Sequence, residues 1–148
     1  MHHRFATGSL ALAGGQVLVG LSSSTGALAA EPSTLTDLLA ITKDSADTNL
    51  FFSRKSGSGS IVKVSLGAYA VNQVIDLLLY ARPAGTAVFV KVASHNFDGT
   101  ETVLLDTSYD TSIPAAATLL GRHHQIRNGA VAAAANIDLI RSYLESDY

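Results

Sequence analysis

Between Arg4 and Glu31 the chain runs 26 residues, Phe5 through Ala30, without an Asp, Glu, Lys or Arg. A charge-free segment rich in Gly, Ala, Leu and Val is poorly suited to stand free in water, where it would expose apolar side chains and open backbone groups. It has to be removed, enter a membrane, or be covered by protein. A membrane helix needs about 20 mostly apolar residues. Here Gly8, Ser9, Gly14, Gly15, Gln16, Ser22, Ser23, Ser24, Thr25 and Gly26 interrupt the run. A secretory signal fits better: Arg4 gives a positive start, residues 10–21 an apolar stretch, and Ala27-Leu28-Ala29 a small-x-small cleavage pattern. Gly14-Gly15-Gln16 breaks that apolar stretch.

Coverage by protein is the third choice. Leu10 and Leu12 before Gly14-Gly15, with Val17 and Val19 or Leu18 and Leu21 after it, suit two short strands around a Gly-Gly turn. Such a hairpin is marginal alone. It is expected either as an extended arm ordered against other subunits or as added strands of its own domain. The expected division is an N-terminal arm over residues 1–32 and a β-rich domain over residues 33–148.

The full 148 residues are enough for one domain with its own core. Charged residues make up 15% of the chain beside an ordinary 47% hydrophobic, which excludes wholesale disorder. Much of the charge deficit lies in the N-terminal segment. Ten Lys plus Arg against twelve Asp plus Glu give a net charge of -2, so the summed field offers no footprint for nucleic acid or anionic lipid. With no Cys, a disulfide framework, a Cys-bearing zinc site and thiol catalysis are excluded.

Past Pro32, Ser33 or Thr34 before Leu35, Asp37, Leu38, Leu39 and Ile41 reads as a short capped helix or the first strand of the main domain. Residues 48–54 (TNLFFSR) read as a strand, KSGSGS (55–60) as a polar turn, and residues 61–66 as a strand alternating Val62, Val64 and Leu66 with Lys63 and Ser65. Residues 74–80 (VIDLLLY) and 87–93 (AVFVKVA) read as a hairpin across the turn at residues 82–86. A second turn at Asp98-Gly99 leads to a strand from Thr102 to Leu105. This antiparallel meander predicts a mainly β fold, a sandwich or barrel. Asn128-Gly129 signals a further hairpin if residues 122–127 form a strand. Ile137, Ile140 and Leu144 after an Ala run predict a C-terminal helix, although Ile137, Leu139 and Arg141 would also alternate as a strand.

Five histidines raise the question of a metal. His123 and His124 are adjacent, so a strand would point them to opposite faces. His2 and His3 are expected at a mobile end and His95 in a turn, so any site would be assembled across the fold or between subunits. The run Ser94-His95-Asn96-Phe97-Asp98-Gly99 superficially matches the start of a calcium loop, but Leu105 stands where the bidentate Glu belongs. No G-x-S-x-G elbow occurs, and neither Gly14-Gly15 nor Gly57-Ser58-Gly59 has the context of a phosphate-binding loop. Asp98, Glu101, Asp106 and Asp110 cluster in sequence, where a glycosidase pair is one reading and solvated loop charges the commoner one. Arg122, His123, His124 and Arg127 form a modest basic segment, too small to sustain nucleic-acid affinity.

The charge-free N-terminal segment, the hairpin LLLYARPAGTAVFVKV (77–92), the segment GTETVLLDTSYDTSIPA (99–115) and the lack of Cys, Trp and any catalytic motif together resemble a tailed-bacteriophage virion structural protein. The resemblance implies a non-enzymatic, β-rich subunit present in many copies, decorating a capsid or lining a tail or neck. Its expected partners are copies of itself and other virion proteins, with no nucleic acid and no membrane. It assigns no catalytic, cofactor-binding or metal-binding residue. Ala27-Leu28-Ala29 keeps an alternative open: a secreted sandwich gripping a glycan or surface ligand through the loops at residues 82–86 and 95–100.

Overall fold

Alternation of apolar and polar side chains carries most of the chain into strands, and the turns between them fall at Gly, Pro, Asn and Asp. The computed structural model describes residues 1–8, 13–24, 26–96, 98–129 and 134–145. Among them run ten strands: β1 (His2–Thr7), β2 (Gln16–Ser22), β3 (Leu38–Lys43), β4 (Asn49–Lys55), β5 (Val62–Ala68), β6 (Val74–Ala81), β7 (Val88–His95), β8 (Glu101–Tyr109), β9 (Gly121–Arg127) and β10 (Ile137–Tyr143). They form two five-stranded antiparallel sheets. Sheet A has the order β10-β1-β6-β7-β8 and sheet B the order β5-β4-β3-β2-β9. Neither sheet closes on itself, so the architecture is a sandwich rather than a barrel.

The core lies between the sheets. Sheet A contributes Phe5, Ile75, Leu77, Leu79, Val88, Val90 and Val92, facing Val17, Val19, Leu39, Ile41, Leu50, Phe52 and Leu66 of sheet B. Val88, Val90 and Val92 alternate along β7 onto this core face. At the β5/β8 side the sheets are held together by Tyr109, which stacks on Phe52 at 5.8 Å and carries the Arg54 guanidinium 3.8 Å over its ring.

The N-terminal segment departs from the arm expectation. β1 lies between β10 and β6, and β2 lies between β3 and β9, so the two strands are interior members of different sheets and do not pair with each other. This explains the missing charge. Residues 17–20 of β2 are buried on both faces, and a charged side chain there would have no water to reach. Gly20 marks the tightest spot: a Cβ there would lie 2.5 Å from the Leu39 carbonyl oxygen. Leu10 and Leu12 lie outside the described residues.

The C-terminal helix is replaced by β10, which pairs with β1. Open backbone groups along β1 outweigh the weak helix preference of the tail. Between Arg4↔Arg141 and Phe5↔Leu139 the register shifts, leaving Ile140 as the extra residue of a β-bulge. One inserted residue turns a spacing of two into a spacing of three, which imitates a helical period. Asn128-Gly129 does not make a hairpin either, since β9 pairs with β2 in sheet B and β10 with β1 in sheet A. Residues 130–133, which include the start of the Ala run, lie outside the described residues. The capped-helix expectation near Ser33 reduces to a single 3-10 turn, Pro32–Thr34, before β3.

The outer face of sheet B is covered by the chain itself. Leu28, on the segment between β2 and β3, packs with Leu18, Leu38 and Ala40. Its N–H donates to Gln125 Oε1 at 2.6 Å, and Arg127 Nη1 donates to the Ala29 carbonyl at 2.9 Å.

Because Phe5 is a fully buried core residue rather than part of an arm, Phe5→Ala is expected to cost about 3–5 kcal/mol of folding stability. Urea denaturation followed by circular dichroism measures it. An unchanged midpoint would mean that β1 contributes nothing to the core.

Candidate functional site

Strand alternation turns His2 and Arg4 of β1, Asp76 and Leu78 of β6, and Lys91 and His95 of β7 to the outer face of sheet A. Unlike its counterpart on sheet B, this face carries no covering segment among the described residues. Its centre is Asp76. Arg4 grips the carboxylate with two bonds, Nε to Oδ1 at 2.7 Å and Nη2 to Oδ2 at 2.6 Å. His95 Nε2, when protonated, donates to Oδ2 at 2.8 Å, and His2 Nε2 lies 3.2 Å from Oδ1. Burial alone would push the Asp76 carboxyl up. The bonds from Arg4, His95 and His2, with the Arg4 charge, outweigh it and hold the group well below the usual carboxylate range.

A carboxylate saturated in this way is a poor general base, since every lone pair that could take a proton is already committed. Its role here is to gather His2, Arg4 and His95 into one rigid polar island. Beside the island, Lys91 bonds Glu101 at 2.7 Å, and the apolar floor between them is Leu78 and Ala93. Around it lie exposed Tyr80, Phe89, Val103 and Tyr143. A cleft of about 450 Å³ opens at the β10 side, with Tyr80, Tyr143, His2, Arg82 and Glu145 among its lining residues.

The other histidines have separate places. His2 and His3, expected at a mobile end, sit in β1, and His95 closes β7 rather than lying in a turn. His3 and His124 point inward from opposite sheets and meet edge to face, with ring centroids 4.3 Å apart and His124 Nε2 3.2 Å from His3 Nδ1. Burial, reinforced by nearby His124 and Arg122, lowers the His3 pKa to about 3, and burial likewise lowers His124. His123 points outward, as adjacency on a strand requires, and lies 2.8 Å from Ser22 Oγ. That Ser–His pair has the atoms of a catalytic dyad, but Ser22 is fully buried. The pair therefore serves to pin the end of β2 to β9.

The four acids clustered between positions 98 and 110 do not converge. Asp98 accepts from Thr100 in the β7–β8 turn, Glu101 is tied to Lys91, Asp106 lies opposite Lys91, and Asp110 is exposed beyond β8. The basic segment is split by its strand: Arg122 and His124 share one face of β9, His123 and Arg127 the other. A different acidic group, Asp44 and Asp47, is filled by its own cation, Lys63, at 2.7 and 2.6 Å. Among the described residues no group of three or more His, Asp or Glu is placed to hold a metal ion, and no helix is long and apolar enough to cross a membrane.

Sequence reasoning missed Asp76. The signal was there: it is the one charge inside the apolar run VIDLLLY, and a single charge in a strand has to face water or a partner.

A histidine that takes a proton near pH 6.5 when unfolded and only near 3 when folded leaves the unfolded state holding more protons in between. His3 therefore adds stability in full above pH 6.5, and that stability is lost as pH falls toward 3. The expected slope is up to about 1.4 kcal/mol per pH unit for one proton. In urea titrations between neutral pH and about pH 4.5, where Asp76 remains ionised, His3→Phe should remove about one proton's worth of slope. An identical slope in the variant would refute this coupling.

Set beside known protein families, curated proteins and solved structures, the chain matches none of them.

Proposed function

We propose that this chain is a non-enzymatic structural subunit of a tailed-phage particle, of the capsid-decorating or tail or neck type, that works by contact with copies of itself and with other virion proteins. One observation carries the contact part of this reading. Of the ten large apolar side chains that stay exposed among the described residues, Leu78, Tyr80, Phe89, Val103, Leu139, Ile140 and Tyr143 lie on strands of sheet A, Leu144 follows β10, and none lies on a strand of sheet B. Leu78, Tyr80, Phe89, Val103 and Tyr143 share the outer face, while Leu139, opposite Phe5, and Ile140 at the bulge lie along the β10 edge. Apolar exposure gathered on one sheet, while the outer face of the other is covered by its own chain, is the usual mark of an interaction surface. The phage setting rests on the sequence resemblance.

A second reading, a secreted sandwich that binds a glycan or surface ligand, draws on the cleft beside β10. Tyr80 and Tyr143 offer flat apolar rings there, and His2, Arg82 and Glu145 offer polar partners, a mixture suited to a sugar.

The subunit reading predicts a native mass by light scattering that is a multiple of the 15.4 kDa chain. A paired Tyr80→Lys and Phe89→Lys variant should lower that mass and leave the circular dichroism spectrum unchanged. A wild-type chain that is strictly monomeric, yet retains sugars on a glycan array, would replace the first reading by the second.

A further inference from the structure

Among the described residues, two five-stranded open sheets leave four edge strands, β10 and β8 in sheet A and β5 and β9 in sheet B. Edges with unpaired backbone groups either are guarded or find a partner. Charge separates these four. β9 carries Arg122 and Arg127 and no acid, and β8 carries Glu101 and Asp106 and no base. Antiparallel self-pairing of β8 about the midpoint of its two charges sets Glu101 and Asp106, which share a face, against each other. The two arginines of β9 lie on opposite faces, and a second β9 offers neither of them a carboxylate. β5 has a single charge, Lys63, already bound by Asp44 and Asp47. β10 alone among them carries one charge of each sign, Asp138 and Arg141.

We propose that β10 pairs with β10 of a second copy of this chain, antiparallel about a two-fold axis between Leu139 and Ile140, joining the two A sheets into one. The proposal deepens the subunit reading above and rests on it. In this register Asp138 of each copy faces Arg141 of the other, Leu139 faces Ile140, and Ile137 faces Ser142.

The bulge at Ile140 makes the register work. In a regular strand, residues three apart point to opposite faces. Here Asp138 stands opposite Ala6 and Arg141 opposite Arg4, and Ala6 and Arg4 are two apart on β1, so Asp138 and Arg141 share the outer face. Both intermolecular ion pairs therefore form on one side of the joined sheet. Within its own chain Arg141 faces another cation, Arg4, whose charge is already committed to Asp76. Arg141 has no ion partner among the described residues, and Asp138 has only a 3.4 Å contact from Asn136. A carboxylate supplied by the second copy relieves the like-charge pair. At the axis, Leu139 and Ile140 are 48% and 56% exposed, and each would be covered by its counterpart. The contact is isologous and closes as a dimer, on which larger assemblies can be built.

The opposite-charge edges β8 and β9 provide the competing contact. Pairing Glu101 with Arg127 brings Asp106 opposite Arg122, but Arg122 and Arg127 are five apart on a regular strand and point to opposite faces, whereas Glu101 and Asp106 share one face because of the bulge between Val92↔Leu105 and Ala93↔Val103. Only one of the two pairs would meet.

Sedimentation velocity on the wild type and three variants tests the proposal. Asp138→Arg alone and Arg141→Asp alone each turn two attractions into two repulsions, and each should weaken dimerisation by roughly tenfold or more. Mixed together, the two variants become complementary, since both cations of the first chain then face carboxylates of the second across the axis, and they should form a mixed dimer. Circular dichroism of each variant serves as the fold control, and the doubly reversed chain, Asp138→Arg with Arg141→Asp, gives a second route to the same restored pairing. Wild-type assembly unchanged in both single variants, or no rescue in either the mixture or the double variant, overturns the β10 contact while leaving the subunit reading intact. A monomeric wild type overturns both.

Discussion

Strand β1 needs a neighbour along each of its edges, and both come from far along the chain, β6 on one side and β10 on the other. β2 stands in the same position in the second sheet, between β3 and β9. The N-terminal residues thus thread one interior strand into each sheet, and the C-terminal strands seal both. Phe5, Val17 and Val19 reach the middle of the core only because of this threading. The outer polar island depends on it as well, since His2 and Arg4 ride on β1. Joining chain ends so distant in sequence costs entropy that grows only logarithmically with loop length, so the pairing is tolerable at equilibrium, although it is slow to form.

Legibility of the fold followed how local each cause was. Hairpins β4–β5, β6–β7 and β7–β8 are closed by Gly- or Pro-bearing turns a few residues long, and alternation with turn chemistry was enough to place them. What could not be read were partners chosen across long separations. The charge-free stretch correctly demanded cover, but nothing in it says that the cover is β3, β6, β9 and β10 of the same chain rather than another subunit. The tail failed for a different reason: the bulge at Ile140 shifts the alternation by one residue, and a single shift is enough to make a strand look helical. At the candidate site, Asp76 was overlooked because its partners lie on β1 and β7, which only the sheet order brings alongside it.

The two outer faces solve the same burial problem differently. Sheet B folds the segment between β2 and β3 back over itself, and the backbone of that segment is satisfied by Gln125 and Arg127 of β9. Sheet A keeps its face open and ties its strands together there through Asp76, a carboxylate of β6 that cross-links His2 and Arg4 of β1 to His95 of β7. Such a partly buried, fully engaged acid stabilises little against an apolar alternative. Its effect is to fix three side chains whose freedom would otherwise be lost on contact, so a surface built around it meets a partner with less entropy still to lose.

The low charge of the whole molecule then acquires a second meaning. With few charges to spend, the edge strands differ sharply in sign: β9 only basic, β8 only acidic, β10 mixed. Like charges opposite one another penalise a strand pair, so sign opposes β8 meeting β8 in the register centred on its charges, and a second β9 brings β9 no opposite charge. Backbone groups are the same on every edge and attract without discrimination. Selectivity among edges therefore has to come from the few side chains that decorate them, and in a chain this poor in charge each one decides more than it would in an ordinary surface.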